Sequence, residues 1–360
     1  MESFITRLFN EIVENLRNDY SDNYDIDRFG KEPKKKMSLK TRLFSVIKKK
    51  KYVIDDDQIK RFQGLDKYYD RMEQVYGFLN DDESKKIYVK LIAYRILGHR
   101  KVKLPLNTPE YQNKKVISDR YKINDDFIET PFVDNKTIKL YKYDLTKENI
   151  LLKMYAADVY PLLFIEQYEN DEVKVEIGDV LLDCGGCWGD TSLIFANKVG
   201  EMGHIYSFEF IPDNIEIFKR NLALNENISS RLTIVQNALG EKSGELLSFS
   251  NNGPGSRVEN KKTNSNLVKT ITIDDFVTNN KISKVDFIKM DIEGSELPSL
   301  KGASNVLKRF RPKLAISIYH SIDDFVNIPI YLKSLNLGYQ FFIKHGTIHN
   351  EETVLLAISK

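Results

Sequence analysis

Val180-Leu181-Leu182-Asp183-Cys184-Gly185-Gly186-Cys187-Trp188-Gly189-Asp190-Thr191 runs from an apolar segment through an acid and a glycine-rich turn into a helix start. In an open α/β sheet, ligands sit beyond the carboxyl ends of the strands, and this turn falls at such an end. Gly185, Gly186 and Gly189 let the backbone approach a ligand that a Cβ would push away, and Asp190 and Thr191 open the following helix. Glu209 stands twenty residues beyond Gly189, at the end of the next apolar run. An acid there can accept both ribose hydroxyls of an adenosine.

Outward from this turn the punctuation is regular. Strands are expected at 180–183, 204–209, 232–236, 285–290, 313–319, 340–344 and 353–358, with helices at 190–198, 213–224, 295–308 and 324–334. Such alternation predicts a Rossmann-like α/β fold with a seven-stranded, mostly parallel sheet. The last two runs are close enough in sequence to form an antiparallel hairpin at one edge. Upstream, 137–143 alternates as a strand does, and 151–168 is apolar enough to read as a helix. Residues 1–125 read as a helical cap or dimerisation region, and 126–360 as the ligand-binding domain. The helical region is expected to contain helices over 4–16 and 59–79, and a third N-capped by Asp82 and stopped at Gly98.

Fifty-four Lys and Arg against fifty-two Asp and Glu leave a net charge of +2, too balanced to draw the chain onto nucleic acid. The stretch 31–51, with ten basic residues and one acid, reads as a solvated linker, or more sharply as a flap over a diphosphate. The opening residues lack the apolar core of a signal peptide and no run is long enough for a membrane span, so a cytoplasmic location is expected. Cys184 and Cys187 are too few and too close for a disulfide framework; they read as small residues of the turn.

The turn does not fit a dinucleotide, because Cys187 breaks the G-x-G-x-x-G pattern, and Asp183 would repel a pyrophosphate. An acid there suits a cofactor with a sulfonium and an amino group, which points to S-adenosyl-L-methionine. After the third strand, Asn237 and Ala238 are placed to hold the adenine, and Phe210 follows the ribose acid.

The order Asp183-x-Gly-Gly-x-x-Gly-Asp190-Thr191, Phe208-Glu209-Phe210-x-Pro212, Thr272-Ile273-Asp274-Asp275, then Lys289-Met290-Asp291-Ile292-Glu293-Gly294-Ser295-Glu296 and Leu300-Lys301-Gly302-Ala303, resembles the FkbM family of methyltransferases. Ile318-Tyr319-His320, with Tyr339, His345 and Glu352-Thr353-Val354, is similar to a bacterial branch of it. The resemblance implies O-methylation of a small molecule, and the branch implies a sugar or nucleotide-activated sugar in surface polysaccharide biosynthesis.

A sugar hydroxyl stays protonated until the transition state, so its methylation calls for a general base or a metal. His320 and Asp291, at strand ends, are the expected proton acceptors, with His345 and Glu293 as further candidates. No metal is required on this reading; Mg²⁺ on Asp291 and Glu293 is the alternative. The structural readings of the same residues are satisfied core histidines, and helix caps for Glu293 and Glu296. An exocyclic-amine methyltransferase would carry an Asn/Asp-Pro-Pro-aromatic turn where this chain has Asp291-Ile292-Glu293-Gly294, so a nucleic-acid acceptor is disfavoured. The remaining alternatives are another small-molecule or macromolecular acceptor and a non-catalytic relic of the fold. A homodimer through the N-terminal helices is the partner expected.

Overall fold

The computed structural model describes residues 2–32, 54–132, 136–148, 150–249, 253–256, 258–259 and 266–360. The basic stretch, apart from Lys31 and Glu32, lies outside the described residues. The chain divides into two compact units, Met1–Gln112 with His345–Glu352, and Asn113–Lys344 with Thr353–Lys360. The division thus falls ahead of residue 125, and a short late segment counts with the helical unit.

In the helical unit, Phe4–Asn15 is capped by Ser3 and buries Phe4 and Leu8. The single helix expected over 59–79 is two, Asp56–Asp66 and Tyr69–Phe78. The break lets Tyr68 turn inward, where it keeps only 4% exposure. Asp82–Leu97 is capped one residue earlier than expected, by Asp81, and ends at Gly98, whose φ of 86° suits glycine.

The second unit opens with an antiparallel sheet of β1 (Lys122–Pro131), β2 (Thr137–Asp144) and β3 (Lys153–Ala156). The helix expected over 151–168 is therefore β3 followed by one π-helical turn, Pro161–Ile165. Two asparagines explain the strand. Asn225 accepts from Lys153 N at 2.9 Å and donates to Lys153 O, and Asn221 does the same for Tyr155 at 2.7 and 3.0 Å. Side-chain amides thus satisfy the backbone groups of an edge that a helix would have satisfied internally.

The principal strands are β4 (Val180–Cys184), β5 (His204–Phe208), β6 (Leu232–Val235), then β7 (Ala238–Leu239), β8 (Leu246–Phe249), β9 (Val258–Glu259), β10 (Leu267–Ile271), β11 (Phe287–Met290), β12 (Lys313–Ser317), β13 (Tyr339–His345) and β14 (Thr353–Ser359). Seven of them form one sheet in the order β13-β14-β12-β11-β4-β5-β6. From β12 to β6 every pairing is parallel, while β14 runs antiparallel to β12, so the sheet is mixed. β13 neighbours β14, and β14 is the strand inserted beside β12. Between β6 and β11 lies a small sheet, β7-β10-β8-β9, that the sequence reading missed. Its strands are two to five residues long, too short for their periodicity to stand out. The helix expected over 295–308 is split into Glu296–Lys301 and Ser304–Phe310, because Gly302 lies against the backbone of Gly240.

Candidate active site

The parallel register sets Cys184 beside both Phe208 and Met290, so the turns after β4, β5 and β11 open at one level. Between them is a cleft open to solvent. Its lining brings together Gly185, Glu209, Phe210, Asn237, Ala238, Asp291 and Glu293 from the residues expected. Ile211, Asn214, Gly253, Ser256 and Ser295 also line it and carried no signal in the sequence reading.

Asp183, Gly186, Gly189, Asp190 and Thr191 are not in that lining. Asp183 is fully buried, its carboxylate 2.9 Å from Lys289 Nζ and hydrogen-bonded by Ser192 Oγ. Lys289 also donates to Gly185 O at 2.7 Å. Burial would discharge this lysine, but the charges of Asp183 and Asp291 outweigh it and hold its pKa above the ordinary value. The acid expected to meet a cofactor amino group is thus committed to an ion pair under the turn. The glycines approach the protein's own atoms: a Cβ on Gly189 would lie 2.2 Å from the Phe218 ring, and one on Gly185 2.0 Å from Asp291 O. Asp190 accepts from Thr191 N at the helix start. Burial pushes both Cys184 and Cys187 thiols up in pKa, which keeps them protonated and out of thiolate chemistry.

Glu209 is 6% exposed and accepts from Phe210 N at 2.7 Å, Ile211 N at 2.8 Å and Asn214 Nδ2 at 3.2 Å. Burial outweighs these hydrogen bonds and lifts its pKa to about 7. Phe210 packs edge-on against Phe249, and Asn237 donates to Lys269 O.

At the ends of β11 and β12 is a second constellation. Tyr168 donates to Asp291 Oδ2 at 2.8 Å, and Tyr319 to Asp291 Oδ1 at 3.2 Å. His320 Nε2 lies 3.3 Å from Asp291 Oδ1 and 3.6 Å from Glu293 Oε2, and Nδ1 lies 3.1 Å from Glu296 Oε1. Burial works against a charged His320, but Glu293, Glu296 and Asp291 overcome it and raise its pKa to about 11. A ring held as a cation has no lone pair free for a substrate proton. Glu296 is fully buried and accepts from Ile292 N at 2.8 Å and Gly294 N at 3.0 Å, tying down the loop that carries Glu293. His345 belongs to the helical unit and does not join this constellation. Burial, with the charges of His349 and Arg95, drives its pKa down to about 3.

A mixed α/β sheet with a parallel core, an acid just after β5 and carboxylates just after β11 frames the cleft. Residues 175–341 match the family model described as the methyltransferase FkbM domain. The chain is similar to the hexuronic acid methyltransferase AglP of Haloferax volcanii, at 28% identity over 148 residues, which cover 41% of this chain and 56% of that protein. It also resembles the crystal structure of methyltransferase FkbM from Methylobacillus flagellatus, with a TM-score of 0.54 and 20% identity over 84% of this chain and 62% of that one. The chain therefore spans less than two thirds of the length of either protein.

Proposed function

We propose that the chain is an S-adenosyl-L-methionine-dependent O-methyltransferase acting on a hydroxyl of a sugar or nucleotide-activated sugar, in the cytoplasmic steps of bacterial surface polysaccharide assembly. The observation that carries this reading is the pairing, in one cleft, of a buried ribose-type acid with a cluster of carboxylates at the next strand ends. The donor set fits the cofactor. Glu209 holds the ribose hydroxyls, Phe210, Ala238 and Asn237 bound the adenine, and Gly185 with Asp291 borders the methionine end. When bound, the cofactor supplies a methyl group activated on a sulfonium.

Of the carboxylates near His320, Glu293 is the one suited to take the acceptor proton. It lines the cleft and its side chain keeps 30% exposure. Asp291 is held on both oxygens by tyrosine hydroxyls and orients the acceptor instead. With the cofactor bound, Glu293 would take the hydroxyl proton while the acceptor oxygen gains the methyl group that the sulfonium supplies and releases. Holding the two reactants in line supplies roughly 7–11 kcal/mol, and the base a further two to four orders of magnitude. The hexuronic acid named for the Haloferax relative supports a sugar acceptor.

The N-terminal unit serves as a cap or a dimerisation element on this reading. Ile5, Phe9 and Val13, one turn apart on the first helix, are 51%, 63% and 42% exposed and support the second role.

Calorimetry with S-adenosyl-L-methionine, followed by mass spectrometry of a panel of nucleotide sugars, tests the reading. A folded chain that takes up no cofactor refutes it. Glu293→Gln is expected to lose at least about a hundredfold in turnover with cofactor affinity kept.

A further inference from the structure

The ends of β11 and β12 gather more negative charge than proton transfer alone calls for. Asp291, Glu293 and Glu296 surround one imidazole, and Lys289, the buried cation of the neighbouring strand position, is engaged with Asp183 and Gly185 O. Glu296 has no exposed side-chain surface, and a buried carboxylate needs a compensating charge. His320 is nine-tenths buried, and neither ring nitrogen makes an aligned hydrogen bond despite the carboxylate oxygens beside it.

The distances have another use. Two metal bonds of about 2.1 Å meeting near a right angle or a tetrahedral angle set their donors about 3.0–3.4 Å apart. His320 Nδ1, the one ring nitrogen that would serve as ligand, is 3.1 Å from Glu296 Oε1. One ligand atom from each of Asp291, Glu296 and His320 can be chosen with all three within 4.8 Å of one another.

We propose that Asp291, Glu296 and His320 bind one divalent transition-metal ion of the Mn²⁺ or Zn²⁺ kind. With the ring proton displaced by the ion, an imidazole nitrogen and two carboxylates suit such a metal, whereas Mg²⁺ and Ca²⁺ prefer oxygen alone. Asp291 borders the cleft, so the ion faces the acceptor. There its charge favours loss of the hydroxyl proton to Glu293, which is not one of the three ligands. This consequence rests on the methyltransfer reading of the cleft; the ion site itself rests on the donor set.

The test is made on the full chain, stripped with chelator and titrated with Mn²⁺ under electron paramagnetic resonance. The expected result is one bound ion per chain, with ¹⁴N modulation in the spin echo from a directly bound imidazole. In His320→Ala that modulation is lost and affinity falls at least tenfold. Glu296→Gln is the second variant, with its fold checked by circular dichroism and its affinity expected to fall likewise. Absence of stoichiometric Mn²⁺ and Zn²⁺ binding by the folded wild-type chain overturns the proposal. So does binding without ¹⁴N modulation, or modulation that survives in folded His320→Ala. Calorimetry with S-adenosyl-L-methionine on the same metal-free sample separates a failure of the ion site from a failure of the cofactor assignment.

Discussion

Replacing Glu209 by glutamine removes a charge while keeping the shape of a nearly buried side chain. The native carboxylate accepts from Phe210 N and Ile211 N through one oxygen and from Asn214 Nδ2 through the other. Asn214 Oδ1 has no hydrogen-bond partner among the described residues, so a flip of the Asn214 amide lets it accept from the NH₂ group that the substitution introduces. The fold is therefore preserved, and what changes is recognition of the ribose. Hydrogen bonds to a charged acceptor are worth about 1.5–3 kcal/mol, so cofactor affinity should fall roughly ten- to a hundredfold. Burial raises the Glu209 pKa from 4.5 to about 7, so the free chain loses this negative charge as pH falls through 7. Ribose hydroxyls donate to the ionised form and lower its pKa in the complex. Affinity should then weaken about tenfold between pH 8 and pH 6 in the wild type, and stay flat in Glu209→Gln. The same shift has the opposite sign for folding. A raised carboxyl pKa favours the native state below about 4.5 and loses that advantage as pH rises to 7, so cofactor-free Glu209→Gln should exceed the wild type by up to about 3 kcal/mol at pH 8. Isothermal calorimetry across pH 6–8, with urea unfolding at pH 5 and 8, measures both. A wild-type affinity independent of pH, or one unchanged in the variant, refutes the ribose role.

Lys289→Met should cost about 3–5 kcal/mol in urea unfolding because it strands Asp183 as a buried charge, and Asp183→Asn in the same chain should recover part of the loss. Asn221→Ala should cost about 1–3 kcal/mol by leaving Tyr155 N and O without partners, with faster amide exchange at β3 as the local readout. His345→Ala should leave cofactor affinity unchanged by calorimetry, since that ring belongs to the helical unit and not to the cleft.

The parallel core was legible because both faces of its strands are covered, which writes a strand as a nearly continuous apolar run: in β11, Phe287, Ile288 and Met290 are fully buried and only the ion-paired Lys289 interrupts them. The position of Glu209 just after β5 was legible because its spacing follows from the geometry of one strand-helix-strand unit. What failed was local in form but decided at a distance. Nothing within 151–168 announces that Asn221 and Asn225 will pair with Lys153 and Tyr155. Likewise His320 and His345 look equivalent in sequence, each at a strand end, yet one meets three carboxylates and the other is buried in the helical unit. Sequence position ranks them alike; the neighbours that set their charge come from other segments.

The acidic motif after β11 divides its labour between scaffold and chemistry, and the division explains why Asp183 was misread. Lys289 faces Asp183 across the parallel pair, so the acid that opens the glycine turn neutralises a lysine that in turn holds Gly185 O. That fixes the turn against Asp291 O, where only glycine fits. Two residues later the backbone enters the left-handed region at Glu293, φ 57°, and stays there at Gly294, φ 96°. A non-glycine residue in that conformation costs roughly 1–2 kcal/mol. Glu296 offsets the cost by accepting from Ile292 N and Gly294 N, one on each side of Glu293. The strain thus sits at a carboxylate that lines the cleft beside the His320 ring and is not a ligand of the proposed ion, which is where a side chain must be aimed at a substrate.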